Sequence, residues 1–106
     1  MKIVGVAACP TGIAHTYMAQ AAIEKECEKR GFEYKVETQG SMGIENELEQ
    51  DEIDNADVVI FAVSISVENE YRFDEKKSDG KVYIVDPSDL LKDPEKHINE
   101  AIELAK

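Results

Sequence analysis

Apolar residues along this chain follow two rhythms. Nearly unbroken apolar runs fall at 2–8 (KIVGVAA), 57–63 (DVVIFAV) and 81–85 (KVYIV). Such short, continuous runs predict strands, and the first has the pattern of a strand covered on both faces. Elsewhere the apolar positions recur at helical spacing. Ala19, Ala22, Ile23 and Cys27 mark one stripe of a helix expected from about Ile13 to Arg30, with Gly31 as its stop. Residues 32–37 alternate Phe, Tyr and Val with charges, which predicts a half-exposed edge strand. Residues 38–43 (TQGSMG) read as a turn-rich loop, and the acidic stretch 44–55 as one or two short helices carried by Ile44, Leu48 and Ile53. Residues 64–73 read as a short helix or loop, 74–80 (DEKKSDG) as a charged, exposed loop, and 88–92 as a helical turn. Asp93 and Pro94 open the last helix as cap and first helical residue, and Ile98, Ala101, Ile102 and Ala105 share one of its faces.

Strand and helix alternate four times. That order predicts an α/β fold of one domain over residues 1–106: an open four-stranded parallel sheet with helices on both faces and right-handed crossovers. Ligands of such sheets bind beyond the carboxyl ends of the strands, where strand order reverses. The loop after the first strand is therefore the first place to look for chemistry, and it holds Cys9.

Charge narrows the function classes. Against 23 acidic residues stand 12 basic ones, a net charge of −11. Nucleic acid and anionic lipid are both recognised by cations, so neither is an expected partner. The longest apolar runs, 3–9 and 58–63, are far short of the roughly 20 residues of a spanning helix, so no membrane insertion is expected. The amino terminus carries no secretory pattern, and the two cysteines, Cys9 and Cys27, fit no metal-ligand spacing. They read as thiols of a cytoplasmic protein, and no metal or cofactor is expected.

The segment 8–16 (ACPTGIAHT) joins a buried strand to a helix. The first N–H groups of a helix lack internal partners, and the helix dipole adds partial positive charge, so this junction is an anion cradle. Gly12 lets the backbone curl close to a bound group, Pro10 restricts the loop, and Thr11 and Thr16 add hydroxyls. A thiol in such a place has its pKa depressed. Cys9 then reads as a nucleophile for phosphorus, with the phosphate bound by the loop of Pro10, Thr11, Gly12, Ile13, Ala14 and Thr16, and its oxygens held by backbone N–H groups from Thr11 to His15. The plain alternative is a buried cysteine ending a strand. A nucleotide P-loop is ruled out, because no lysine lies between Lys2 and Lys25. Low-molecular-weight cysteine phosphatases place a Cys loop similarly, but with Arg after five intervening residues. Here that position is His15, which lacks the bidentate clamp of a guanidinium.

Residues 8–16 resemble the phosphorylation loop of the fructose-type enzyme IIB domains of the bacterial phosphoenolpyruvate-dependent sugar phosphotransferase system. The resemblance continues in 36–40 (VETQG), 43–48 (GIENEL), 52–59 (EIDNADVV) and the pair Arg72-Phe73, and so covers most of the chain. It implies a four-stranded parallel sheet. It also implies that Cys9 takes phosphate from a phosphohistidine on a IIA domain and passes it to fructose or a related hexose as a membrane IIC component moves the sugar. The stretch 74–80 is an insertion relative to the expected connection. A cysteine phosphatase or arsenate reductase, or a module that senses phosphorylation state, is the alternative.

Other residues divide between two readings. His15 either donates to a phosphate oxygen on Cys9 or makes a local helix bond. Arg72 either steadies the transferring group from the rim or is a solvated arginine. Gln39 and Ser41 read best as turn residues. Cys27 lies on the apolar stripe and is expected in the core, and His97 at the surface.

Overall fold

The computed structural model describes residues 1–8, 13–40 and 43–106. Cys9, Pro10, Thr11, Gly12, Ser41 and Met42 lie outside the described residues, and with them the expectations for the cysteine loop itself. The elements run β1 (Lys2–Ala8), α1 (Ile13–Arg30), β2 (Glu33–Gly40), β3 (Gly43–Glu45), α2 (Gln50–Asp54), β4 (Val58–Val63), a 3-10 turn (Glu70–Phe73), α3 (Asp74–Ser78), β5 (Val82–Val85), α4 (Pro87–Lys92) and α5 (Pro94–Ala105).

The sheet has five strands in the order β3-β2-β1-β4-β5. The expected count of four is corrected by β3, a three-residue strand that returns antiparallel along the end of β2. The four predicted strands are mutually parallel, with β1 between β2 and β4. Chain connections leave β1 toward β2 and leave β4 toward β5, so strand order reverses between β1 and β4. At that junction the Ser64 N–H donates to the carbonyl of Ala8 at 3.1 Å.

Helices cover both faces. On one, Ala19, Ile23 and Cys27 of α1, Leu90 of α4, and Ile98 and Ala101 of α5 pack on Ile3, Ala7, Ile60 and Ala62. On the other, Leu48, Ile53 of α2 and Phe73 pack on Val4, Val6, Val59 and Phe61. Gly5 sits under α1; a Cβ there would stand 3.3 Å from the Ile60 carbonyl and 3.5 Å from Ile23, so the helix lies close because the position is bare. At the far end of α1, Gly31 takes a left-handed φ of 73°. The N–H groups of Gly31 and Phe32 then close back on Glu28 and Cys27, which satisfies carbonyls the helix would leave open. The last helix starts as predicted, with Asp93 accepting from the Lys96 N–H at 3.2 Å and Pro94 at the first position.

Two regular elements stand where loops were expected. Residues 38–40 continue β2, and 74–78 form α3. The charged α3 buries none of its residues and is tethered by Lys76, whose ammonium donates to the Ala56 carbonyl at 2.7 Å.

Cys27 is in the core as expected, fully buried. Burial pushes its thiol up to about 11. Thiol alkylation near pH 8 should therefore leave Cys27 unmodified in the native protein and reach it only after unfolding. Peptide mapping after iodoacetamide treatment checks this, and native modification at Cys27 would contradict the burial.

Candidate functional site

The carboxyl rim of the sheet gathers the ends of β1, β2 and β4, the start of α1 and the start of α4. Residue 8 ends β1 in register with Gln39 of β2 and Val63 of β4. The sequence between Ala8 and Ile13 thus departs from the reversal point of the sheet and returns as the amino terminus of an 18-residue helix. The first turn of α1 contains no acidic residue, which keeps the positive end of its dipole uncompensated.

Of the proposed phosphate ligands, Ile13 and Ala14 lie in the first turn of α1, so their N–H groups are among those a helix leaves open. Thr16 is 3% exposed, and its Oγ1 is the buried side-chain polar atom with no hydrogen-bond partner among the described residues. A buried hydroxyl left without a partner costs about 1–3 kcal/mol, so its place beside the open end of α1 marks a point where a polar group belongs. His15 is exposed on the same turn. Asp86, which caps α4, faces this turn across the rim. Its carboxyl is held below the ordinary aspartate value chiefly by the hydroxyl and N–H of Ser88, with a smaller contribution from His15. Tyr17 crosses to β3, donating to Glu45 at 2.8 Å.

Arg72 and Gln39 are not where the sequence reading put them. Arg72 is 7% exposed and Glu37, its partner, is wholly buried. The guanidinium grips the Glu37 carboxylate with Nη1 at 2.8 Å and Nη2 at 3.0 Å. Its remaining donors reach the carbonyls of Leu48 at 2.8 Å, Glu68 at 3.2 Å and Asn69 at 2.9 Å. All five N–H groups of the side chain are therefore committed. Glu37 accepts further from the Leu48 N–H at 2.8 Å and from Gln39 Nε2 at 2.6 Å. Burial works to raise its pKa, but these donors together hold it below the ordinary glutamate value. The same pairing raises that of Arg72. Arg72 is thus neither solvated nor free to take a phosphoryl oxygen. Gln39 is a buried strand residue rather than a turn residue, with its carboxamide on the Glu68 peptide groups at 2.8 and 3.1 Å.

The second arginine of the chain, Arg30, ends α1. At 1.5 Å per residue it stands roughly 25 Å from the start of that helix. Neither arginine can clamp a phosphate at the rim, whereas hydrolytic cysteine phosphatases depend on one there. Among the described residues no cluster of His, Cys, Asp and Glu has the arrangement of a metal centre.

An open, mainly parallel α/β sheet with its candidate chemistry on a strand-to-helix turn at the reversal point defines the class of protein. Comparison with known proteins gives the family. Residues 4–100 match the family model described as PTS system, Lactose/Cellobiose specific IIB subunit. The PTS system fructose-like EIIB component 2 of Escherichia coli (strain K12) is 51% identical over 72 residues, which are 68% of each chain. The PTS system fructose-specific EIIB'BC component of Vibrio cholerae is 51% identical over 76 residues, 72% of this chain and 13% of that longer one. A solved domain of the fructose-specific IIABC component of Borrelia burgdorferi superposes with a TM-score of 0.85 at 48% identity, covering 96% of this chain and 93% of that one. The chain belongs to the IIB family of the phosphotransferase system, in its fructose-type branch.

Proposed function

We propose that this IIB chain is a phosphoryl carrier acting through Cys9. The thiolate of Cys9 attacks the phosphorus of a phosphohistidine on a IIA domain; the S–P bond forms as the P–N bond breaks and the imidazole leaves. A hydroxyl of fructose or a related hexose, held by the membrane IIC component, then attacks the same phosphorus. The S–P bond breaks, the thiolate returns, and the hydroxyl gives up its proton to solvent. The buried, partnerless hydroxyl of Thr16 at the open start of α1 is the observation that carries this reading. It lies on the first turns of α1 with the open N–H groups of Ile13 and Ala14, which in this reading join those of the preceding loop in holding a phosphoryl group on residue 9. Positioning and dipoles, rather than a fixed cation, do the catalytic work. A neutral-donor cradle releases its cargo more readily than a guanidinium clamp, which suits transfer over hydrolysis.

The IIC partner is supported by relatives whose names join IIB to C segments; the IIA donor is part of the proposal. Among the described residues no helix is long and apolar enough to cross a membrane. The carrier reading puts the chain on the cytoplasmic side, where a IIA donor would reach it.

Two experiments test the reading. Incubation with phosphorylated IIA, then with IIC-containing vesicles and hexose, should move label from donor to chain to sugar phosphate. Stable phosphorylation of the chain without any sugar phosphate would instead favour a signalling module. His15→Ala should slow phosphoryl uptake by about 100- to 1,000-fold, the span of a single donor lost from the reacting group, with little change in thermal stability. Unchanged uptake kinetics would return His15 to a local helix role.

A further inference from the structure

Residues 64–69 leave the end of β4 beside Ala8 and run without helix or strand to the 3-10 turn. Ile65 is exposed, Val67 anchors the segment in the core, and Asn69 turns it with a left-handed φ of 55°. Such a stretch, with one apolar anchor and no ladder of its own, has many open conformations. It is held instead by side chains. Gln39 uses its carboxamide as a strand neighbour would use its backbone: Oε1 accepts from the Glu68 N–H at 2.8 Å, and Nε2 donates to the Glu68 carbonyl at 3.1 Å. The second Nε2 hydrogen points to Glu37, so one amide orientation satisfies every partner. Arg72 adds bonds to the carbonyls of Glu68 and Asn69.

A buried ion pair is weak evidence for stability, because well-packed apolar residues often serve as well. What a saturated polar network supplies is fixed direction. Here the direction it fixes is that of the chain flanking the end of β1, with Gln39 itself in register with Ala8, the residue before Cys9.

We propose that Gln39 is a positioning residue for phosphoryl transfer: by clamping the Glu68 peptide groups it sets residues 64–69 as a rigid shelf beside Ala8, the residue that precedes Cys9 in the chain. This rests on the carrier reading above. The shelf leaves the end of β4 at the reversal point, and its anchor Val67 packs on the face of the sheet away from α1; in this proposal it forms one wall of the approach to residue 9. A loose shelf lowers the fraction of encounters with the donor phosphorus in line with the thiolate. It leaves the encounter itself, which uses the outer surface, largely as before.

The test is Gln39→Met, which keeps the side-chain length and removes the clamp. Single-turnover phosphorylation of Cys9 by phosphorylated IIA should lose at least about tenfold in maximal rate, with the half-saturating donor concentration changed by less than about twofold. Amides at 64–69 should exchange with solvent at least about tenfold faster, while those of α5 do not. A control, Ile98→Val in the α5 core, lowers stability away from the rim and should keep the rate within about twofold. If Gln39→Met does not fold, Gln39→Asn serves, since it keeps the carboxamide and shortens its reach to Glu68 by one methylene. A wild-type rate in a variant whose shelf exchanges faster would overturn the proposal, as would unchanged exchange or an equal loss in the control. Label retained on Cys9→Ser would overturn the carrier reading, and this proposal with it; label confined to Cys9 with a wild-type rate in Gln39→Met would overturn the proposal alone.

Discussion

Cys9→Ser is expected to fold and to take up no phosphoryl group. The substitution replaces one sulfur by oxygen at a position whose neighbours, Ala8 and α1, are fixed by the sheet and by the core stripe Ala19, Ile23 and Cys27. The chemistry needs the thiol: a serine hydroxyl is un-ionised near neutrality, whereas a thiol at a helix amino terminus is drawn toward the thiolate. The expected loss is at least about 10⁴-fold in uptake from phosphorylated IIA, as befits removal of a nucleophile rather than of one contact, with the melting temperature within a few degrees. Phosphoryl transfer kinetics and a thermal melt on the same preparation check both halves. The companion substitution Cys27→Ala should leave uptake intact, since that thiol is enclosed under α1.

The second large effect is on stability. Arg72→Ala leaves the Glu37 carboxylate wholly buried with its bidentate partner gone. Breaking a buried pair from one side costs about 3–5 kcal/mol, a large part of the roughly 5–15 kcal/mol that holds a domain of this size. The melting temperature should fall by at least about 12 °C. The same network predicts an acid limb. Because the native pKa of Glu37 lies below its ordinary value, its contribution is complete above the ordinary carboxylate range, near about 4.3, and fades as the pH falls through the lower native value. Glu52 and Asp86 are shifted in the same direction, so they add to this limb from the surface. Denaturant melts from pH 7 to pH 3 should show the stability of the wild type dropping on acidification. Glu37→Gln should start lower and drop less steeply. A variant as steep as the wild type would move the acid sensitivity to other carboxylates.

Much of the fold was readable because its signals are local. β1 and β4 are covered on both faces and so are continuously apolar, and α1 and α5 carry an apolar stripe ended or begun by Gly31 and by Asp93-Pro94. β3 was missed because three residues are too few to show a period of two. α3 was missed because it buries nothing, so its residues carry no stripe and only helix-tolerant charge. The site divides in the same way. The motif at 8–16 announced an anion cradle because helix termini and glycine loops have a short-range grammar. Arg72 was misjudged because its partner Glu37 is 35 residues away, across the sheet from it in sequence and adjacent only once β2 and the 3-10 turn pack on the same core. Two polar residues at alternate positions of a strand, Glu37 and Gln39, were the one available hint: in a strand they must share a face, and on this one both are buried. The alternation of residues 32–37 was read as exposure, when its polar members nearest the rim were being matched from another element.

The most direct test of a cysteine-borne carrier is to find the phosphorus. The chain, incubated with phosphorylated IIA and digested without acid, should yield a single modified peptide spanning residues 3–25, carrying the group on Cys9 and losing it with the lability of an S–P bond. A phosphoryl group on His15 or on any other residue, with Cys9 unmodified, would contradict the account.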